Sequence, residues 1–420
     1  MNRIHKPVLT ILFCLCAETS TAEPLNMPDL PPHDQVDAAL DRNIHVMNAR
    51  SQLQIERVNQ RKRESGEYEY TLRGSSAKNY VVPTAERSRD WEVALERPFR
   101  LPNKMMIDSD IGEEGVMRGE NLLGDARHQT SRALLQLWFN WRRERTQVMQ
   151  WQQQVDILNM QAAMTEKRIK AGDAPRMELN QVNAASAMAG VALHQAQLRS
   201  ELAASELARQ FGAIKLPNDA PAPEPQPIKQ GLAYWKEAIL KLNHELGWVQ
   251  AESRMRERLS ARASADRMPD PTIGVRYASQ FSGTQKVSGV YLSIPLPSSV
   301  RSANADSAAY EAQIATDREQ ALLIRLDADI QATYTQAVNA YQIWQQARDA
   351  AAALRQNADL VARAYSLGES SLSDTLVARR LALEASLAES LAKLDANESR
   401  YRLLLDAHLL WGPSEDHESH

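Results

Sequence analysis

Residues 366–380 read SLGESSLSDTLVARR, a run of small polar residues inside a tract that otherwise has the composition of one very long helix. Gly368 can take the left-handed conformation that ends a helix at no steric cost, and the serines and Asp374 behind it can accept from the free N–H groups of a new helix. The stretch therefore predicts a tight helix–turn–helix hairpin. The same device stands about 196 residues earlier in KAGDAPRMELNQVN (170–183), with Gly172 for Gly368 and Glu178 for Asp374, each acid six residues after its glycine.

Working outward from the two turns, further landmarks recur in the same order, as they do when one unit is duplicated whole. DRNIHVMNARSQLQIERVNQR (41–61) resembles KLNHELGWVQAESRMRERLSA (241–261), Asn43 matching Asn243. WEVALERPFRLPNK (91–104) resembles SGVYLSIPLPSSVR (288–301), with Val93, Leu95, Pro98 and Lys104 matching Val290, Leu292, Pro295 and Arg301. The expected organisation is a signal peptide (1–22), a first repeat (23–215), a proline-rich connector LPNDAPAPEPQPIKQG (216–231), a second repeat (232–411) and a short tail (412–420). Proline at that density cannot be helical.

Within each repeat a helix (near 33–64; near 230–266) leads into two short alternating segments. These are 67–73, with Tyr68, Tyr70 and Leu72 on one face, and 90–96, with Trp91, Val93 and Leu95; the second pair is 272–278 and 287–295. Period-two alternation of aromatic and β-branched residues predicts strands, so each repeat contributes one hairpin. A helix of about 65 residues follows (near 104–170; near 303–366), then the glycine turn and a returning helix (near 176–212; near 373–411). Glycines 112, 115, 119 and 124 predict irregularity at the start of the first long helix. Helices roughly 100 Å long need neighbours along their length, which predicts a coiled-coil-like or barrel-like helical assembly.

Composition agrees with a mainly α chain with a small β part. There are 16 Gly and only 5 Phe, and mean hydropathy is −0.47. A formal charge of −4 offers no basic field for nucleic acid, and no tract beyond the first residues suits a transmembrane helix. Arg3 and Lys6 precede the apolar run VLTILFCLCA (8–17), with Ser20 and Ala22 placed for cleavage before Glu23, the pattern of a secretory signal peptide. Cys14 and Cys16, the two cysteines of the chain, lie inside it, so an exported product would be thiol-free. Four strands cannot close a barrel, and exported edge strands with apolar alternation gain stability by pooling between subunits into a closed membrane barrel.

The duplicated plan of helix, hairpin, long helix, Gly-turn and helix, with RPF (97–99) and IPL (294–296) after the inner strands and two G-x5-[DE] turns, resembles the TolC family of outer-membrane efflux ducts over 23–411. The ERPFRLPNK segment is similar to the cobalt–zinc–cadmium (CzcC-like) heavy-metal branch, whose QP…GK pattern here has Arg97 for Gln and Asn103 for Gly. The resemblance implies a homotrimer with a twelve-stranded outer-membrane β-barrel continued by an α-helical tunnel across the periplasm. It implies contact at the tip turns (Gly172, Gly368, Ser370, Ser371) with a periplasmic adaptor, and through it with an inner-membrane pump of the resistance-nodulation-division type. It also links the acid matching Asp374 to closing the tip; the acidic position three residues on is here Val377.

Two readings stand for Glu178 and Asp374. In a trimer they would make six acidic groups round a tunnel mouth, an acidic gate that attracts cations; alternatively each stabilises the positive end of its own helix. Tyr68, Tyr70, Trp91, Tyr277 and Tyr291 are expected in a lipid-facing aromatic belt, against ordinary hairpin packing. Met105, Met106 and Met117 read as core filling instead of soft-metal ligands, and His417 and His420 as a polar tail. SSAK (75–78) matches a β-lactamase-type S-x-x-K but is expected between strands, where it opens no helix. With no other catalytic or nucleotide motif in view, neither enzyme activity nor any cofactor is expected. The competing function is a periplasmic coiled-coil adaptor or scaffold without a pore.

Overall fold

The computed structural model describes residues 27–66, 68–217 and 222–412. The expected signal peptide, its cysteines, and His417 and His420 lie outside them. Twelve main elements follow in order: α1 (His33–Asp41), α2 (Ile44–Ser65), β1 (Thr71–Val81), β2 (Glu86–Pro98), α3 (Pro102–Ala171), α4 (Arg176–Gln210), α5 (Leu232–Lys241), α6 (His244–Ala265), β3 (Thr272–Gln280), β4 (Gln285–Ser293), α7 (Ser299–Ser366) and α8 (Leu372–Asp406). The second six repeat the first six in type and order. None of the described helices is long and apolar enough to cross a membrane.

Where single helices are expected near 33–64 and 230–266, each is broken at an asparagine. Asn43 accepts from His45 N at 2.9 Å and Asn243 from Leu246 N at 2.8 Å, so the matched asparagines are N-caps of α2 and α6. The irregularity expected at glycines 112–124 does not occur. α3 runs unbroken for 70 residues, about 105 Å. Its glycines instead let neighbours approach: a Cβ on Gly112 would lie 3.2 Å from the Gln60 backbone, and one on Gly119 3.2 Å from that of Leu53. α2 therefore lies close against α3 because the side chains between them are missing.

The N-terminal part of α3 packs on α2 and α6, and the part beyond it on α4 and α8. α7 runs alongside α6 and α8, leaving α4 and α7 as the outer helices of the two hairpins. The main core gathers α1, α3, α4, α5, α7 and α8 around Leu134, Trp138, Phe139, Leu207, Trp235 and Leu403. Inside it Asp29 organises a polar knot. Tyr401 Oη donates to its carboxylate at 2.7 Å, and Trp138 Nε1 and Arg142 donate to its carbonyl at 2.8 and 2.6 Å. The connector packs on α8, where Asn397 donates to the Pro223 carbonyl at 3.0 Å.

The two hairpins form one antiparallel sheet of order β1-β2-β3-β4. The strands are displaced from those expected: β1 begins at Thr71, β2 extends over 86–98, and β4 covers 285–293. SSAK lies within β1, paired from Ser75↔Glu92 to Lys78↔Arg89, and not between strands. Its polar residues hid the strand from a search for apolar alternation. Where sheet meets helices, Lys104 is fully buried, donating to Asp266 and Asp270 at 2.9 Å each and to the Met268 carbonyl at 2.8 Å. Its counterpart in the second repeat, Arg301, donates to the Asp266 carbonyl at 2.9 Å. The matched cations of both repeats thus converge on one loop.

Candidate functional site

Two regions concentrate the candidate residues, the hairpin tips and the sheet. At the first tip Gly172 has φ 84°, with Gly172 N donating to Ile169 O at 3.0 Å and Asp173 N to Arg168 O at 2.8 Å. At the second Gly368 has φ 80°, with Gly368 N donating to Tyr365 O at 3.0 Å and Glu369 N to Ala364 O at 2.9 Å. Both are the paired 6→1 and 5→2 closure that needs a left-handed residue. Nothing lies within 4 Å of the place a Cβ would occupy on either glycine, so backbone conformation, and not crowding within the chain, selects glycine.

The restarts differ. Ser371 caps α8 in a capping box: its Oγ accepts from Asp374 N at 3.0 Å and donates to Asp374 Oδ2 at 2.7 Å, while Ser371 N donates to the same carboxylate at 3.4 Å. Ser370 lies beside it in the turn, half-buried. The Asp374 carboxylate is therefore engaged in starting its own helix. α4 starts behind Pro175 with no side-chain cap, which leaves Glu178 for other partners. Glu178 Oε2 accepts from Tyr365 Oη at 2.7 Å, and Arg168 Nη1 stands 3.7 Å from it while also donating to the Tyr365 hydroxyl. The Arg168 guanidinium stacks 5.1 Å from the Tyr365 ring centroid. Burial, then the hydrogen bond to Glu178, raises the pKa of Tyr365, so it stays a donor at neutral pH.

This latch joins the α3–α4 hairpin to α7. Sequence reading singled out Glu178 and missed Arg168 and Tyr365. The available signal was an arginine four residues before one turn glycine and a tyrosine three residues before the other, both in final helical turns. Among the described residues no hydrogen bond or ion pair joins Glu178 to Asp374.

The sheet has two unlike faces, fixed by register. Leu72, Leu95, Val275 and Val290 form one row, and Gly74, Val93, Tyr277 and Ser288 the next, on an apolar face that also carries Tyr70, Trp91, Ile273 and Leu292. Trp91 and Tyr277 rings pack with centroids 5.7 Å apart. The opposite face carries Arg73, Glu92, Glu96, Arg276 and Tyr291. Two of the five belt aromatics are thus misplaced by the sequence reading. Tyr291 stands on the polar face, where its hydroxyl bonds to Glu96. Tyr68 precedes β1 and donates to Asp270 at 2.7 Å, because its partners belong to the helix junction and not to the strand. Tyr70, Trp91 and Tyr277 share the apolar face.

No protein-family model matches the chain, and a search among curated proteins finds no match. Solved structures do match. The Campylobacter jejuni CmeC outer membrane channel aligns over 99% of this chain and 96% of its own, with TM-score 0.71 and 16% identity. The Vibrio cholerae outer membrane protein VceC aligns over 89% and 95%, with TM-score 0.72 and 15% identity. The open state of the Neisseria gonorrhoeae MtrE outer membrane channel aligns over 98% and 99%, with TM-score 0.64 and 18% identity. The fold is that of these channels. At such identities the likeness extends to the path of the backbone, and the roles of individual side chains stand on this chain's own geometry.

Proposed function

We propose that the chain is the outer-membrane exit duct of a tripartite efflux system, acting as a homotrimer. One observation carries the reading: a sheet with one apolar and one polar face whose outer strands, β1 and β4, have no further strand partner among the described residues. Such edges are satisfied when β4 of one copy pairs with β1 of the next. Three copies of four strands give a closed barrel of twelve, with the apolar face toward lipid and Glu92, Glu96 and Arg276 toward water. Strands of 9 to 13 residues suit a tilted span.

The helices fit the same assembly. On α4, Met177, Met188, Val191, Leu198 and Leu202 are 58–76% exposed and recur at heptad-compatible spacing. α4 and α7 are outer helices in the chain, so α4 of one copy would pack against α7 of its neighbour. The turns at Gly172 and Gly368 would then ring the periplasmic end, where a periplasmic adaptor would dock and link the duct to an inner-membrane pump of the resistance-nodulation-division type. The latch at Glu178 would hold that end narrow. Asp374 would contribute charge to the mouth and hold the start of α8. Heavy-metal cations are the solute class suggested by the CzcC-like segment; they would pass in transit, since among the described residues no group of three His, Cys, Asp or Glu side chains is placed to hold a metal.

Membrane fractionation with native mass measurement of the detergent-extracted full chain tests this reading. The expected result is an outer-membrane trimer, reduced to monomer by Met188→Glu with Leu198→Glu at unchanged helical circular dichroism. A water-soluble periplasmic monomer or dimer from the unmutated chain would overturn it in favour of the adaptor or scaffold.

A further inference from the structure

The charges of the sheet are sorted by face. Its four acids, Glu86, Asp90, Glu92 and Glu96, occupy alternate positions of β2 and all fall on the polar face, as do Arg73 and Arg276. The apolar face carries Lys78, Arg87, Arg89, Arg97 and Lys286 and not one acid. Arg97, at the helix end, is accounted for: its guanidinium lies 4.8 Å from the Tyr70 ring centroid and donates to the Tyr68 carbonyl at 3.0 Å. The other four gather at the turn end, all exposed.

Their placement is costly. Lys78 and Arg89 are Cα partners directly across β1 and β2, within the strands and not in the turn. Side chains so paired lie about 5 Å apart at Cβ, and like charges there destabilise the pair. The next row outward is Tyr80↔Arg87, the guanidinium 5.8 Å from the ring centroid. The next row inward runs Ser76, Trp91, Ser279 and Lys286 across the sheet. Rows are roughly 7 Å apart. Lys78, Arg87 and Arg89 thus stand just above the Trp91–Tyr277 aromatic pair and Lys286 level with Trp91, on the face that continues downward into Val93, Leu95, Val275 and Val290. None of the four makes an ion pair with a described acid; the two acids adjacent in sequence, Glu86 and Asp90, fall on the other face, where Asp90 accepts from Asn79 at 2.6 Å and Phe281 N at 2.8 Å.

We propose that Lys78, Arg87, Arg89 and Lys286 form a binding rim for the phosphate groups of a lipid A-type glycolipid in the outer leaflet. This rests on the reading of the sheet as part of an outer-membrane barrel, with the turns facing outward and the apolar face toward lipid. Cations just beyond the apolar band, above membrane-interface aromatics, meet the headgroup layer, where each is attracted to anionic phosphate. A phosphate between Lys78 and Arg89 turns a repulsive pair into a two-sided clamp, with Arg able to bond bidentately. The acyl chains of the same lipid would cover the Trp91–Tyr277 pair and the apolar rows beneath it.

The test uses the full chain, extracted in detergent, and a variant carrying Lys78→Gln, Arg87→Gln, Arg89→Gln and Lys286→Gln. Both are first checked for outer-membrane fractionation and native mass. They are then titrated with bis-phosphorylated lipid A, with its dephosphorylated form and with phosphatidylglycerol. The unmutated chain should hold bis-phosphorylated lipid A at least tenfold tighter than the variant does, and tighter than either other lipid, with affinity falling as salt is raised. Equal affinity of chain and variant for lipid A, equal binding of the dephosphorylated form, or equal binding of phosphatidylglycerol would each overturn the rim. In a chain assembled in the outer membrane these results leave the duct reading standing. An unmutated chain found outside that membrane would overturn both.

Discussion

Tyr365 and Glu178 are 187 residues apart in sequence, yet the tyrosine hydroxyl donates to the glutamate carboxylate at 2.7 Å. The bond ties the last turn of α7 to the first turn of α4, with Arg168 of α3 donating to the tyrosine hydroxyl and standing 3.7 Å from the carboxylate. It therefore joins the α3–α4 hairpin to the α7–α8 hairpin beside the Gly172 and Gly368 turns.

Removing that bond should loosen the tip. Tyr365→Phe and Glu178→Ala are each expected to raise single-channel conductance in planar bilayers, while melting of the whole protein shifts little. The double variant should add little to either single one, because both remove the same interaction. Unchanged conductance in all three would remove the latch from the gating account.

Asp374 acts first on its own helix. Ser371→Ala and Asp374→Ala should each cost about 1 kcal/mol of local helix stability through loss of the capping box. Hydrogen exchange across 372–378 should quicken in both variants. An effect of Asp374→Ala on cation selectivity that Ser371→Ala does not share would isolate the carboxylate's charge from its cap.

Lys104 holds the helix–sheet junction. Lys104→Met keeps most of its volume but leaves Asp270 and Asp266 without the buried ammonium, for a loss of the order of 3 kcal/mol. Denaturant unfolding of the detergent-extracted protein would read it. Arg301→Met, reaching only the Asp266 carbonyl, should cost clearly less.

Acid should weaken the region where α3, α6 and the end of α8 meet. His408 packs between His128 and His244, with ring centroids 5.0 and 5.1 Å away. Asp125 and Asp406 face the same cluster, Asp406 standing 3.4 Å from His128. Burial, then the neighbouring imidazoles, lower the His408 pKa to about 4. In the unfolded chain the ordinary histidine value is about 6.5, so the unfolded state binds more protons between the two values. Stability is full above pH about 6.5 and is lost as pH falls toward 4. His408→Gln should flatten that part of the profile, measured as melting temperature against pH.

Much of the architecture was legible because it is written in local chemistry. A glycine that must take positive φ marks each tip, and the duplication of Gly172 as Gly368 located both. Long tracts of good helix formers located α3 and α7, whose real limits lie within a few residues of the expected ones. The breaks at Asn43 and Asn243 were readable as caps but were hidden by the helical composition on either side.

What only the tertiary structure decided were relationships between segments remote in the chain. Strand alternation gives a period but not a register, and register placed Tyr291 with Glu96 on the polar face and drew SSAK into β1. The glycines of α3 looked like weakness because a sequence shows the missing side chain and not the neighbouring helix that fills its place. Arg168, Tyr365 and Glu178 each sit unremarkably in their own helices. Their meeting depends on how two hairpins pack along roughly 100 Å, a sum of many weak contacts that no local pattern records.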